Sequence, residues 1–129
     1  MKIKKKQTGY SKGLAAEFYA VFLLTLKGYR FLKWRYRCPS GEIDLVMRRG
    51  SILAFIEVKR RRSREEAFSA ILPQSRRRIE RAAERFLKNH PRYAHLQARF
   101  DVIAVYPGVL RFGPSLRAEH LDNAWSAGA

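Results

Sequence analysis

Four charged side chains interrupt segments of the chain that are otherwise apolar. Asp44 lies in GEIDL, Glu57 and Lys59 begin and end EVK, and Glu17 is the only charged residue in LAAEFYAVFLLTL. Carboxylates crowded on an apolar hairpin cost free energy unless cations or basic groups compensate them, and Lys59 alone is too few. Mg²⁺ takes oxygen ligands from one or two carboxylates, waters and substrate phosphate. The pattern therefore predicts a hard divalent cation between Asp44 and Glu57, within reach of Glu17, whose carboxylate also needs a partner.

The segment GEIDLVMRRGSILAFIEVK reads as two alternating strands joined by a glycine turn. A turn centred on its Arg-Gly step puts Asp44 opposite Phe55 and Glu42 opposite Glu57. Side chains alternate along a strand, so one face carries Glu42, Asp44, Glu57 and Lys59 and the other carries Ile43, Leu45, Ile56 and Val58. The diagonal Asp44/Glu57 pair then has Cβ atoms roughly 7 Å apart, a span that two carboxylates can close around one metal ion. A slip of one residue would put them on opposite faces.

The remaining elements follow from apolar periodicity and turn residues. We predict a buried helix at residues 11–27, a strand at 29–37, the hairpin, a helix at 73–89 and a strand at 99–106. We interpret residues 60–70 as a mobile basic loop, and the tail as a short strand at 109–112 followed by a helical turn at 118–125. The result is an α/β fold of order αβββαβ. An antiparallel meander is followed by a crossover helix and a strand parallel to the third, with helices on the sheet faces.

The charge of the chain is strongly one-sided. Its 129 residues include 27 Lys plus Arg against 11 Asp plus Glu, which gives a net charge of +16. Such a field attracts polyanions, so nucleic acid is the predicted partner, with an anionic membrane surface or a ribosome as the alternative. The length suits one domain spanning residues 1–129, with residues 1–10 as a flexible basic N-terminus.

Two arginine clusters are expected to contact a phosphate backbone, because the charge excess has one sign and flanks the acidic residues. The predicted contacts are Arg60, Arg61, Arg62, Arg64, Arg76, Arg77 and Arg81. The alternative for such charge runs is a solvated surface.

The N-terminal lysines followed by an apolar segment imitate a secretory signal. Three features argue against export and against a membrane span. Glu17 lies inside the apolar segment, no small-x-small cleavage site follows it, and the segment is shorter than the roughly 17 residues that cross a bilayer. The single Cys38 forms no internal disulfide and suits a reducing compartment. We therefore expect a cytoplasmic protein.

These residues resemble the PD-(D/E)xK nuclease superfamily, which has the restriction-endonuclease-like fold, and its archaeal Holliday junction resolvases in particular. The closer similarity is to the uncharacterised bacterial YraN-like family and covers nearly the whole chain. It is carried by Glu17, the GEIDL and EVK strands, the basic second helix, RFDV at residues 99–102 and HLDNAW at residues 120–125. E-x-K alone arises often by chance, whereas its spacing from GEIDL across a hairpin is more specific.

The resemblance implies a role for each matching residue. It implies that Asp44 and Glu57 ligate Mg²⁺ or Mn²⁺, with the Val58 carbonyl as a further ligand. Lys59 would orient or deprotonate the attacking water and offset charge on the phosphate, and Glu17 would act directly or through water. The arginine-rich segment after the lysine departs from the family pattern, so the resemblance assigns no substrate contacts there.

Plainer interpretations of the acidic residues stay open. The hairpin acids and their lysine could be a cross-strand ion-pair set on a solvated face. Glu17 could be a buried acid paired with Arg35 or Lys33, and Glu42 is expected to be polar decoration of a sheet edge. For Asp101, between two apolar residues of a central strand, we expect a paired structural role rather than a catalytic one.

The aromatic residues and histidines give weaker signals. Trp34 and Tyr36 could stack on unpaired bases, although strand aromatics more often pack in a core or at an edge. The histidines His90, His95 and His120 lack ligand spacing and are expected at the surface.

The sequence therefore predicts a Mg²⁺- or Mn²⁺-dependent endonuclease that hydrolyses phosphodiester bonds of DNA, branched or structured DNA in particular, in repair or recombination. DNA is favoured over RNA, and a homodimer is suggested only by analogy with nucleases that cut symmetric junctions. The alternative is a nucleic-acid-binding module that keeps the fold without turnover. A pure binder, however, gains nothing from carboxylates that face phosphates.

Overall fold

The computed structural model describes residues 2–110 and 113–128. Helices α1, α2 and α3 span Lys2–Leu26, Arg64–Ser69 and Pro73–Asn89, and a 3-10 turn spans Pro91–Tyr93. Strands β1 to β5 span Arg30–Cys38, Gly41–Arg49, Ile52–Arg60, Gln97–Leu110 and Gly113–Trp125.

Within the described residues the five strands form one mixed sheet in the order β1-β2-β3-β4-β5. β3 and β4 are parallel, and the other neighbouring pairs are antiparallel. The chain crosses from β3 to β4 through α2 and α3. The predicted α/β class, the meander and the parallel fourth strand are thus confirmed, and the arrangement is consistent with a restriction-endonuclease-like core.

Helices cover both faces of the sheet, as predicted. α1 packs on one face through Ala16, Ala20 and Leu24, whose spacing of four residues places them on one side of the helix. α3 packs on the other face through Ile79, Ala82, Ala83 and Phe86. The two hydrophobic layers are called the α1 layer and the α3 layer below. The predicted bounds of α3 are confirmed, including Pro73 at its first position.

α1 differs from its prediction in length and in burial. It begins at Lys2 rather than at Ser11. It is buried on one side only, because the sheet covers one side, and Phe18 and Phe22 remain exposed. No helix in the part of the chain that the structure describes is long and apolar enough to cross a membrane. The flexibility expected of residues 1–10 stays a prediction.

The segment at residues 60–70 is not a mobile loop, since residues 64–69 form α2. The Ser63 hydroxyl caps this helix by accepting the Glu66 N–H at 3.2 Å. Glu65 and Glu66 lie in its first turn, where carboxylates are favourable. The pattern Ser-x-x-Glu is a readable helix start, which the surrounding arginines obscured.

The tail is a strand where a helical turn was predicted. Residues 118–125 belong to β5, which pairs with β4 along most of its length, and its Leu116 and Ala118 pack in the α1 layer. A non-local partner therefore decides the local conformation. Of the short strand predicted at 109–112, residues 109 and 110 end β4, whereas 111 and 112 lie outside the described residues.

Candidate active site

The β2–β3 hairpin pairs two residues further along than predicted. Leu45 lies opposite Ile56, whereas the prediction placed Asp44 opposite Phe55. Continued by one residue, the observed register puts Asp44 directly opposite Glu57. The offset is an even number of residues, so it preserves the predicted proximity of Asp44 and Glu57.

β2 separates from β3 at Asp44. The main-chain pairing ends at Leu45, and beyond it Asp44 Oδ2 accepts the Val58 N–H at 2.8 Å. Leu45, Ile56 and Val58 lie in the α1 layer as predicted, but Ile43 packs in the α3 layer. The predicted common face for Ile43 and Leu45 is therefore wrong, because the strand's alternation breaks between them. The break leaves the Asp44 carboxylate in the gap between the two strands.

The carboxyl groups of Asp44 and Glu57 face each other. A hydrogen bond joins their carboxyl groups, and such a bond requires a proton on one of them. Burial, and then the charge and hydrogen bond of Asp44, raise the pKa of Glu57 to about 9. Burial also raises the pKa of Asp44, against the opposing hydrogen bonds from Glu57 and the Val58 N–H. The pair therefore binds a proton more tightly than free carboxyls do, and a divalent cation can take the place of that proton.

Lys59 follows Glu57 by two residues on β3. Its Nζ lies 3.5 Å from Glu57 Oε1. The ammonium lowers the pKa of Glu57 but does not outweigh burial and the charge of Asp44. A single lysine is thus insufficient to ionise both carboxyls, which agrees with the prediction that one basic group is too few.

Glu17 lies beside this pair but is held by β1. Arg35 donates from Nε to Oε1 at 3.0 Å and from Nη2 to Oε2 at 2.8 Å, and Trp34 Nε1 donates to Oε1 at 3.1 Å. The charge of Glu17 is close enough to raise the pKa of Asp44. The Glu17–Arg35 ion pair, considered as an alternative from the sequence, is therefore present. Arg35 also has a positive φ of 50°, an uncommon conformation for a residue with a side chain.

The four predicted catalytic residues line one open cleft of about 710 Å³. Its lining includes Glu17, Asp44, Glu57, Val58, Lys59, Arg60, Arg61 and Arg62. Glu42 is also at the cleft, but its carboxylate is exposed and lies 3.6 Å from Arg37, in keeping with the expected polar decoration. The cleft therefore has an acidic floor and arginines at its rim.

The predicted phosphate-binding arginines divide by position. Arg60, Arg61 and Arg62 line the cleft. Arg64 instead forms an ion pair with Glu119 and lies over the ring of Phe68, so it is engaged within the fold.

The other arginine cluster lies on α3 and does not line the cleft. Arg77 and Arg81 are exposed there. Arg76 is half-buried, its guanidinium lies 5.8 Å from the Trp125 ring centre, and its Nε has no hydrogen-bond partner among the described residues. Of the contacts predicted on α3, Arg77 and Arg81 are thus the ones with open access to a ligand.

Another buried acid, Asp101, connects β4 with β5. Arg99 donates from Nε to Oδ1 at 2.8 Å and from Nη2 to Oδ2 at 2.7 Å. His120 Nε2 lies 2.8 Å from Oδ2, and the Asn123 N–H donates to Oδ1 at 3.0 Å. Burial alone would raise the pKa of Asp101, but these hydrogen bonds outweigh it and lower the pKa. The pairing expected for Asp101 is confirmed, and its structural role stays a prediction.

The expectation that His120 lies at the surface is wrong. Its side chain is 3% exposed, and its Nδ1 lies 2.7 Å from Lys27 Nζ. This arrangement fits a neutral imidazole that donates from Nε2 and accepts at Nδ1. Leu116, Ala118 and His120 point inward at every second residue, which is the signal that could have found it.

The other aromatic residues and histidines support the fold. Tyr36 packs edge-on against Phe86 with ring centres 5.3 Å apart, as expected for a strand aromatic. His90 stacks on Phe86 at 4.1 Å, while His95 is exposed as predicted.

The donor set at the carboxylate pair fits Mg²⁺ or Mn²⁺. No group of three or more His, Cys, Asp or Glu side chains in the described ranges could hold a metal ion, so the candidate rests on Asp44 and Glu57. Mg²⁺ commonly binds through one or two carboxylates and completes its shell with water and phosphate oxygens. The Val58 carbonyl stays a predicted ligand. A divalent ion compensates the negative charge of two adjacent carboxyls whose pKa values are raised by burial.

Comparison with known proteins identifies relatives along most of the chain. The model of the uncharacterised protein family UPF0102 matches residues 16–105, a range that includes all four predicted catalytic residues. A UPF0102 protein of Parvibaculum lavamentivorans is 48% identical over 116 residues, which cover 90% of this chain and 82% of the relative. A UPF0102 protein of Chelativorans sp. is 46% identical over 122 residues, covering 95% and 93%. One of Mesorhizobium japonicum is 48% identical over 102 residues, covering 79% and 82%. These matches fit the resemblance to YraN-like proteins, and the chain belongs to the UPF0102 family.

Proposed function

We propose that this protein is a Mg²⁺- or Mn²⁺-dependent endonuclease that hydrolyses phosphodiester bonds of DNA. The observation that carries the proposal is the partly buried Asp44/Glu57 pair, whose carboxyl groups face each other beside Lys59 and open into an arginine-rimmed cleft. Burying two carboxyls without full compensation costs free energy, and strongly shifted pKa values of this kind cluster at functional sites. A structural role alone would be served better by an apolar pair.

Each residue of the cleft has a task in this proposal. Asp44 and Glu57 would hold the cation, which would polarise the phosphodiester and lower the pKa of a water molecule. Lys59 orients the attacking water and stabilises the negative charge that develops on the phosphoryl oxygens. Glu17 acts indirectly and does not contact the cation, because both of its carboxylate oxygens accept hydrogen bonds from Arg35 or Trp34. Its carboxylate positions Arg35 beside the acidic pair.

The rim of the cleft suits the backbone of a nucleic acid. Arg60, Arg61 and Arg62 line the cleft together with the acidic pair, and the net charge of +16 favours polyanions over long distances. Phosphate contacts by arginine position a backbone without reading its sequence. We therefore expect recognition by structure, with branched DNA as the first candidate.

A cleavage assay tests the proposal. Purified protein is incubated with single-stranded, duplex, flap and four-way-junction DNA and with RNA, in Mg²⁺, Mn²⁺ or EDTA. We expect metal-dependent cleavage of DNA, and a loss of roughly 10³-fold or more in Asp44→Asn and Lys59→Ala, since each removes a group that acts in the transition state. Asp122→Asn, an exposed acid on β5, is the matched control and should cleave like wild type.

Two results would contradict the proposal. Equal cleavage by wild type, Asp44→Asn and Lys59→Ala would indicate a contaminating nuclease. Cleavage of RNA alone would exclude DNA as the substrate.

A second candidate is a nucleic-acid-binding module of the same fold without turnover. It is favoured by one observation, the double engagement of Glu17 by Arg35 and Trp34, which leaves two rather than three acids free to act at the cleft. Salt-sensitive binding of DNA or RNA without cleavage in any metal would favour this module over the nuclease.

A further inference from the structure

The solvent-facing side of α1 carries a stripe of large apolar side chains. Phe18, Phe22 and Leu26 are 68%, 64% and 71% exposed, and their spacing of four residues aligns them on one side of the helix. The opposite side of α1 packs on the sheet. The stripe is therefore not part of the core of a single chain.

The stripe has no charge and no unused polar side chain along it. Glu17 is the only charged residue from Leu14 to Leu26, and it points to β1. The Tyr19 hydroxyl donates to a β5 carbonyl at 3.3 Å, and the Thr25 hydroxyl donates to the Val21 carbonyl at 2.7 Å within α1. Every polar side chain of this stretch already has a partner in the fold, as is typical of a face that is covered rather than hydrated.

Two aromatic residues of the edge strand extend the stripe. Phe31 pairs with Met47 and Trp34 pairs with Leu45, and both partners lie in the α1 layer, so the two aromatics project on the α1 side of the sheet. Phe31 is 46% exposed and Trp34 is 39% exposed.

We call these residues the α1 patch: Phe18, Phe22, Leu26, Phe31 and Trp34. They expose on the order of 600 Å² of side-chain surface, at the upper end of the largest patch on a typical monomer and near the roughly 800 Å² per partner of a standard interface.

We propose that the α1 patch is covered by a second copy of this chain, in a two-fold dimer whose axis passes beside Phe22. An antiparallel pairing of the two α1 helices about Phe22 puts Phe18 of one copy opposite Leu26 of the other, and Phe22 opposite its own copy. Each exposed side chain of the helix thus meets an apolar side chain, which is the self-complementarity that a two-fold interface requires. Trp34 and Phe31 lie at the border of this contact.

The charge distribution favours a second copy despite the net charge of +16. Arginines line the cleft and α3, which packs on the other face of the sheet, whereas the patch itself carries no charge and is flanked by Lys27, Arg30 and Lys33. Salt screens the remaining repulsion, with a Debye length of roughly 10 Å at 0.1 M. Dimerisation should therefore strengthen as salt rises, whereas binding to a nucleic acid should weaken.

Sedimentation velocity of the full chain tests the dimer at 0.1 M and 0.5 M NaCl. We expect a dimer that is more stable at high salt, and a Phe22→Asp variant whose dimer dissociation constant is roughly 30-fold higher or more, since Phe22 lies at the centre of the contact. Leu72→Asp and Val109→Asp are the controls, because both residues are exposed and apolar but lie outside the patch. A monomeric wild type at both salt concentrations, or equal effects of the control variants, would overturn the proposal.

Cross-linking tests the position of the axis. In a Cys38→Ser background, Phe22→Cys should form an intermolecular disulfide when treated with diamide, because the axis brings residue 22 against its own copy. Val109→Cys in the same background should not. Cross-linking of both variants to the same extent would contradict the two-fold axis at Phe22.

A membrane is the alternative partner that could cover the α1 patch. Co-flotation with vesicles of anionic phospholipid tests this alternative. If monomeric wild-type protein floats with the vesicles and Phe22→Asp does not, the patch binds a membrane and the dimer proposal is overturned. If the wild type is a dimer and does not float with the vesicles, the dimer proposal is supported. None of these readouts requires cleavage of DNA. The dimer proposal is therefore tested independently of the proposed nuclease activity.

Discussion

The acidic centres at Asp101 and at the Asp44/Glu57 pair are built in opposite ways. Asp101 accepts hydrogen bonds from two side chains and one backbone N–H, and these lower its pKa despite full burial. Asp44 and Glu57 face each other with Lys59 nearby, and burial raises the pKa of both carboxyls. The first centre is complete within the fold. The second has too little positive charge nearby to offset the burial of both carboxyls.

This difference shows that burial alone does not identify a functional acid. A carboxylate that is fully compensated holds strands together, and removing it leaves its partners unpaired. A pair that keeps a proton at neutral pH can exchange that proton for a cation. The number and charge of the donors around each acid therefore separate the structural centre from the candidate active site.

The largest effect should come from Asp101→Asn. It removes the charge that compensates Arg99 and leaves His120 with a poorer acceptor, so the free energy of unfolding should fall by about 3 kcal/mol or more. Urea denaturation measures it, beside Asp122→Asn as an exposed control on the same sheet. Equal stability of the two variants would show that the Asp101 network contributes little to the fold.

The next effect concerns the pH dependence of stability without metal. The pKa of Glu57 rises from an ordinary 4.5 to about 9 in the folded protein, so between these values the folded state binds a proton that the unfolded chain releases. The contribution of this proton to the free energy of unfolding is fully present below pH 4.5. It is lost as the pH rises to about 9.

Glu57→Gln lacks this proton linkage. In EDTA the melting temperature of wild type should therefore fall relative to Glu57→Gln by about 5 °C or more between pH 5.5 and 8.5. Glu84→Gln, an exposed acid on α3, should leave the wild-type dependence unchanged. Parallel curves for wild type and Glu57→Gln would mean that Glu57 is ionised at neutral pH.

A smaller effect is expected from divalent cations. Mg²⁺ or Mn²⁺ at ten times its dissociation constant should stabilise the fold by about 1.4 kcal/mol. Because binding displaces a proton from the Asp44/Glu57 pair, the apparent affinity should be higher at pH 8.5 than at pH 6.5. Thermal denaturation across a metal titration measures both. The same stabilisation in Asp44→Asn would place the cation elsewhere.

The smallest effect should distinguish the arginines. Arg61 lies at the rim of the cleft. Arg61→Gln should reduce the slope of the logarithm of the DNA-binding constant against the logarithm of the salt concentration by about one, as expected for one lost phosphate contact. Arg64→Gln should change it less, because Glu119 already pairs with Arg64. Arg92→Gln on the 3-10 turn is the control. A uniform effect of all three would indicate a diffuse field instead of a defined contact surface.

The sequence predicts best where local signals and packing agree. The apolar spacing and first proline of α3 give its bounds, and the alternation of the hairpin brings Asp44, Glu57 and Lys59 together. The hairpin register is offset because a turn at Gly50-Ser51 fits the same alternation as the turn that was predicted.

Non-local pairing explains what the sequence did not predict. His120 and Asn123 reach Asp101 only because β5 runs beside β4, and the tail taken alone resembles a helical turn. Likewise Arg35 meets Glu17 through the packing of α1 against β1, so the sequence could offer it only as one of two partners. Long-range contacts such as these are set by topology and not by spacing along the chain.

The glycine of GEIDL also has a consequence for the dimensions of the site. A Cβ atom at Gly41 would lie 1.9 Å from the Arg78 carbonyl oxygen, so β2 and α3 are in direct backbone contact there. Gly41 thereby fixes how far the arginine helix stands from the strand that carries Asp44. Any side chain at this position would widen the gap between β2 and α3. A nucleic acid bound by the arginines of α3 would then lie at a different distance from the carboxylates of Asp44 and Glu57.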